Sequence, residues 1–217
     1  MTGAAPLVKP RLRGVSHQWA FFVSLLTGAA LVIAAPAGRA TFAAAVYAVS
    51  VAALFGTSAL YHRITWKPTA RRWMRRLDHS MIFVLIAGTY TPFALLVLHG
   101  TLSRVVLVAV WGGALLGIVL KLVWIDAPKW LIATVYLALG WVGIVTIPQL
   151  VSRAGIGAVT LLMVGGLLYT AGAVIYALRR PDPSPKVFGY HEIFHLLVIA
   201  AAAVHYAAIV AYALPAG

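Results

Sequence analysis

Cysteine is absent from this chain of 217 residues, which excludes disulfides, thiolate metal sites and cysteine nucleophiles and leaves His, Asp and Glu as the available metal ligands. Acids are almost absent too. Asp78, Asp126, Asp182 and Glu192 are the four, against 17 Lys and Arg, for a formal net charge of +13. Charged residues make up 10% of the chain and hydrophobic residues 63%, where a soluble domain is about a quarter charged. This is the composition of an integral membrane protein. In so apolar a chain the basic excess belongs to the loops, where it sets orientation and meets anionic headgroups. No nucleic-acid partner is expected.

Apolar stretches run from Trp19 to Ala35, Thr41 to Tyr61, Met81 to Leu98, Leu102 to Leu120, Trp130 to Pro148, Ala158 to Tyr176 and Tyr190 to Leu214, each bounded by charge, Pro or Gly. Each is near the roughly 20 residues that span a hydrocarbon core. The expected fold is all-α, one transmembrane domain of seven helices over 1–217, with 1–18 as a short N-terminal tail and no room for a separate soluble domain. Lys9, Arg11 and Arg13 ahead of the first stretch and Ala35-Pro36-Ala37 behind it imitate a secretory signal peptide. Lys and Arg divide unevenly between the two sides. The tail carries three, the second connection six (Arg63, Lys67, Arg71, Arg72, Arg75, Arg76), the fourth two (Lys121, Lys129) and the sixth three (Arg179, Arg180, Lys186), whereas Arg39, Arg104 and Arg153 are alone on the other side. Because positive charge stays inside, the N-terminus is expected in the cytosol and the C-terminus outside a cell membrane crossed several times.

Ionisable groups near the hydrocarbon are costly and hence candidates for function. His62 ends the second stretch, Asp78 and His79 precede the third, and His191, Glu192 and His195 open the seventh, all on the expected cytosolic side. Ser58 and His62, like His191 and His195, are four residues apart, so each pair shares a helical face. A catalytic zinc takes three protein ligands and leaves one position open, and His62 is the histidine in another span that can complete the His191 and His195 pair. The bland alternative is a set of interfacial histidines hydrogen-bonded between helices. His17 and His99 are expected in solvated tail or loop, and His79 as an interfacial side chain turned away from Asp78. His205, ten residues beyond His195, lies about 15 Å deeper and is either a polar contact between helices or part of a substrate cavity.

His191-Glu192-Ile193-Phe194-His195 also matches H-E-x-x-H literally, in which the glutamate is the base of a metalloprotease. The residues that follow, Leu196 to Ala201, lack the Gly and third His of the extended form. A soluble zincin is excluded and an intramembrane protease stays open, while Glu192 has a simpler reading as a first-turn acid favoured by the helix dipole.

Ser58-Ala59-Leu60-Tyr61-His62, Leu77-Asp78-His79, Gly88-Thr89-Tyr90-Thr91-Pro92-Phe93 and Tyr190 to His195 together resemble the hemolysin III family, the bacterial branch of the superfamily of progestin and adiponectin receptors. The resemblance runs from Gly14 onward. It implies a seven-helix bundle, a zinc ion on His62, His191 and His195, Asp78 and Ser58 holding or approaching the zinc water, and lipid amide hydrolysis of the ceramidase type. A receptor-type cytosolic domain is not expected, since about 15 residues precede the first span.

Two function classes follow. One is a zinc-dependent hydrolase of an amide or ester in a membrane lipid whose acyl chain lies among the helices, with Asp78 as general base and Ser58 orienting water or a ligand histidine. The other is a non-enzymatic membrane protein, pore-forming, cytolytic or regulatory, with a structural zinc. The spans lack the recurring polar stripe of a water-lined pore. The last span has no lysine for a retinal Schiff base.

Overall fold

A computed structural model describes residues 9–217. Among them seven α-helices carry the fold: α1 (Val15–Ala34), α2 (Arg39–Arg63), α3 (Pro68–Pro92), α4 (Gly100–Val123), α5 (Lys129–Gly140), α6 (Ile147–Leu178) and α7 (Tyr190–Ala208). Pro92 lacks an N–H and the helix passes into a wider turn over Phe93–Val97, closed by Leu98 N–H donating to the Phe93 carbonyl at 2.9 Å. Six helical stretches are long and apolar enough to cross a membrane, and the chain is built for lipid on its outside. Leu26, Ile33 and Val123 are 75%, 84% and 80% exposed. Inside, small residues such as Ala40, Ala43 and Ala44 let helices approach closely. Tyr47, buried among them, donates to the Ala202 carbonyl at 2.9 Å and ties α2 to α7.

One of the six stretches, Lys129–Leu178, is 50 residues long and is not a single rod. The helix tightens over Trp141–Thr146 as it leaves α5, and Gly155 (φ 80, ψ 170) interrupts α6 with a conformation that a residue with a Cβ rarely adopts. Trp141 Nε1 donates to Thr170 Oγ1 at 3.1 Å, although 29 residues of straight helix would hold them about 43 Å apart. The chain therefore doubles back. The apolar run expected to end at Pro148 loses regular helix at Trp141, and helix resumes at Ile147, ahead of the expected Ala158.

The basic segments gather at one end of the bundle. Arg11 and Leu12 N–H groups donate to the Lys186 and Val187 carbonyls, joining the N-terminal segment to the connection between α6 and α7. Lys9 Nζ reaches the Arg63 carbonyl at the end of α2, and Arg75 of α3 pairs with Asp126 beyond α4 at 2.8 Å. At the opposite end Arg39 donates to the Leu95 carbonyl.

Candidate metal centre

Four helices deliver the polar residues to the basic end. Helix α7 begins at Tyr190, where the last apolar stretch opens, with its first turn capped by Glu192 accepting the Gly189 N–H at 2.8 Å. His191 and His195 then lie one turn apart. Helix α2 brings His62 against them: His62 Nε2 and His191 Nε2 are 3.2 Å apart. One nitrogen from each of His62, His191 and His195 falls within 4.8 Å of the others, the group of three among the described residues that can hold a metal ion. Helix α3 begins at Pro68, well before its apolar run, so Asp78 sits inside a helix and places Oδ2 3.9 Å from His62 Nε2.

These residues fit a zinc ion. Two nitrogens at about 2.0–2.1 Å in a tetrahedral site stand roughly 3.3 Å apart, close to the 3.2 Å between the His62 and His191 nitrogens, and a His195 nitrogen lies within 4.8 Å of both. Imidazole ligates a metal in its neutral form. The buried Nδ1 of His195 has no hydrogen-bond partner among the described residues, an orphan of the kind that calls for a water or an ion.

Residues 6–206 match the family described as Haemolysin-III related. The chain belongs to the haemolysin III family. It is 37% identical over 167 residues to the hemolysin-3 homolog of Bacillus subtilis (77% of this chain, 75% of the relative) and 35% identical over 176 residues to hemolysin-3 of Bacillus cereus (81% and 77%). A shorter match, 52% identical over 60 residues, covers 25% of this chain and 13% of the adiponectin receptor protein of Drosophila melanogaster. The haemolysin III chain is thus a multi-pass membrane protein, related to the adiponectin receptors.

Two histidines depart from each other here. His99 is exposed, as expected. His17, expected in a solvated tail, is instead 2% exposed and central to the haemolysin III site. The apolar stretch opens at Trp19, but α1 already begins at Val15. Gly14 allows this. Its φ of 79° turns the chain onto the bundle, and a Cβ there would stand 2.6 Å from His62 Cβ. His17 then stacks on His195, ring centroids 3.8 Å apart and planes 15° from parallel, while its Nδ1 shares a hydrogen bond with Ser58 Oγ at 2.8 Å. The charge count already set the tail beside His62 and His191. It could not show which way His17 faces.

The acid of the H-E-x-x-H match is engaged elsewhere. Glu192 pairs with Arg13 besides capping α7, and its carboxylate is directed at the N-terminal segment rather than at the histidine nitrogens. Arg13 is a further site residue missed in the sequence, where it counted only as a topology charge. His79 Nδ1 lies 2.8 Å from the Arg75 carbonyl, and Tyr136 donates to the His79 carbonyl at 2.8 Å.

From the histidines a cavity of about 220 Å³ runs into the bundle. Asp78, Ser58 and His17 line it at the site, Tyr136 and Tyr176 beyond them, and Tyr169 and His205 farther in. His205 Nε2 donates to the Leu162 carbonyl at 3.2 Å, so this residue is both a contact between helices and part of the cavity wall.

Proposed function

We propose that this haemolysin III protein is a zinc-dependent hydrolase of amide or ester bonds in membrane lipids, working at the cytosolic membrane face. One observation carries the reading: three converging imidazoles and a carboxylate stand at the mouth of a cavity that continues among apolar helices. His62, His191 and His195 would hold the ion. Zinc supplies Lewis acidity, which lowers the pKa of water towards about 7 and polarises a carbonyl. Asp78 takes the proton from the attacking water and passes it to the leaving amine or alcohol. Ser58 orients water beside Asp78, and its bond to His17 fixes the direction of its hydroxyl. The acyl chain occupies the cavity, whose apolar wall excludes bulk water from the cleaved bond.

The topology belongs to the same proposal. With the 50-residue run doubled back, the chain crosses seven times, N-terminus in the cytosol and C-terminus outside, because the end that carries most Lys and Arg stays inside. Cysteine introduced near Gly217 is expected to react with an impermeant thiol reagent on intact cells, and cysteine near Thr2 is not. The reverse pattern overturns the cytosolic placement.

A second reading has its own observation. Asp78 Oδ2 is close enough to His62 Nε2 for a small movement to make it a fourth ligand, which would close the site and suit a structural zinc in a non-enzymatic membrane protein. Zinc-loaded protein tested on a broad panel of lipid amides and esters separates the two. Hydrolysis with three protein ligands on the metal supports the enzyme, and full occupancy without turnover of any lipid supports the structural metal.

A further inference from the structure

At the inner end of the cavity two side chains carry polar atoms that nothing among the described residues satisfies. His205 is 8% exposed, with Nε2 directed at the Leu162 carbonyl. A carbonyl only accepts, so Nε2 bears the hydrogen. Burying an unpaired charge is costly, so the ring is neutral and Nδ1 is a bare acceptor. That Nδ1 has no partner, and neither has the buried hydroxyl of Tyr169, whose ring centroid is 5.6 Å from that of His205. Among the described residues five buried side-chain polar atoms lack partners, and here one acceptor and one donor adjoin on the same cavity wall, with Val159, Met163 and Val198 around them. The position of the ring is set by α6: a Cβ on Gly165 would stand 2.2 Å from His205 Nε2, so the imidazole lies directly on helix backbone.

We propose that His205 and Tyr169 form a second polar subsite that holds a hydroxyl group part-way along a lipid chain. Tyr169 donates to the hydroxyl oxygen and the hydroxyl donates to His205 Nδ1, so both orphans are satisfied by one group. Ten residues of unbroken α7 separate His205 from His195, which puts the subsite about 15 Å from the histidine cluster. A lipid with its head at that cluster presents a mid-chain hydroxyl there. The subsite rests on the reading that the cavity takes a lipid chain, but not on hydrolysis.

The test is equilibrium binding of two fatty acids to the purified full-length protein in nanodiscs, with zinc content measured in parallel. The probes are stearic acid and stearic acid hydroxylated at its twelfth carbon. The hydroxylated acid is expected to bind about tenfold more tightly, as two net hydrogen bonds allow. Tyr169→Phe, which keeps the ring, is expected to lose most of that preference while binding stearic acid and zinc as before. Equal binding of the two acids, or a preference that survives in Tyr169→Phe, overturns the subsite and leaves the lipid-chain reading in place, the pair then being served by a resident water. Binding of neither acid overturns the lipid-chain reading and the subsite together.

Discussion

Helix α7 carries three histidines, and its two halves use them differently. In the first two turns His191 and His195 face His62 from α2, with their nitrogens turned toward one another and Asp78 close by. In the second half His205 faces α6, gives its N–H to a carbonyl and keeps the other nitrogen unpaired. Residue type and helix are the same. The neighbours decide: a nitrogen next to other nitrogens invites a metal, and a nitrogen beside a carbonyl and a phenol invites a neutral polar group. Asp78 and Glu192, both at the basic end, repeat the contrast. Asp78 has a histidine nitrogen within 3.9 Å, whereas Glu192, inside the literal zincin motif, is held by Arg13 and the Gly189 N–H.

The largest expected effect separates the two halves of α7 directly. His62→Ala, His191→Ala and His195→Ala are each expected to strip zinc, each costing more than the roughly tenfold to hundredfold loss seen when a group behind a ligand is removed. His205→Ala should keep the metal. Metal analysis of the four purified variants decides this, and zinc lost from His205→Ala alone would undo the contrast.

Next comes the contrast of acids. Asp78→Asn is expected to lower kcat for a ceramide-like lipid by about a hundredfold or more, with zinc retained. Glu192→Gln is expected to leave both kcat and zinc near wild type. In a metalloprotease-like site the outcomes would be exchanged, so kinetics of the two variants side by side are enough.

A smaller effect belongs to His17. His17→Phe keeps a ring stacked on His195 but removes the bond to Ser58, so activity should fall roughly tenfold to hundredfold, as for other groups that orient ligands and water, with zinc occupancy unchanged. Ser58→Ala should lower activity by a similar factor, and the double variant should lose little more, because the two act through one bond. Additive losses would show that they act separately.

The smallest effect is on stability. Glu192→Gln loses the charge facing Arg13 and weakens the cap on α7, at a cost of about 1–3 kcal/mol. A lowered unfolding midpoint in detergent, with normal catalysis, would mark Glu192 as a fastening between the N-terminal segment and α7.

What could be read from residues alone was whatever depends on composition or on short spacing. Apolar runs and basic connections pointed to a membrane bundle, because hydrocarbon excludes charge wherever the chain goes. The i, i+4 pair on α7 and the shared level of His62 and Asp78 pointed to one cluster, because helix geometry puts such residues on one face at a known height. The tertiary structure decided what depends on rotation and close approach. His17 entered the site because the positive φ of Gly14 starts α1 early and lets the backbone lie against His62. The run from Lys129 to Leu178 left regular α-helix at Trp141, inside the stretch expected to be unbroken from Trp130 to Pro148, and the bond from Trp141 to Thr170 shows which faces meet once the chain has folded back. His205 met Tyr169 because Gly165 leaves room for its ring on α6. Each rests on a contact between residues far apart in the chain, whose spacing along the sequence carries no record of which faces meet.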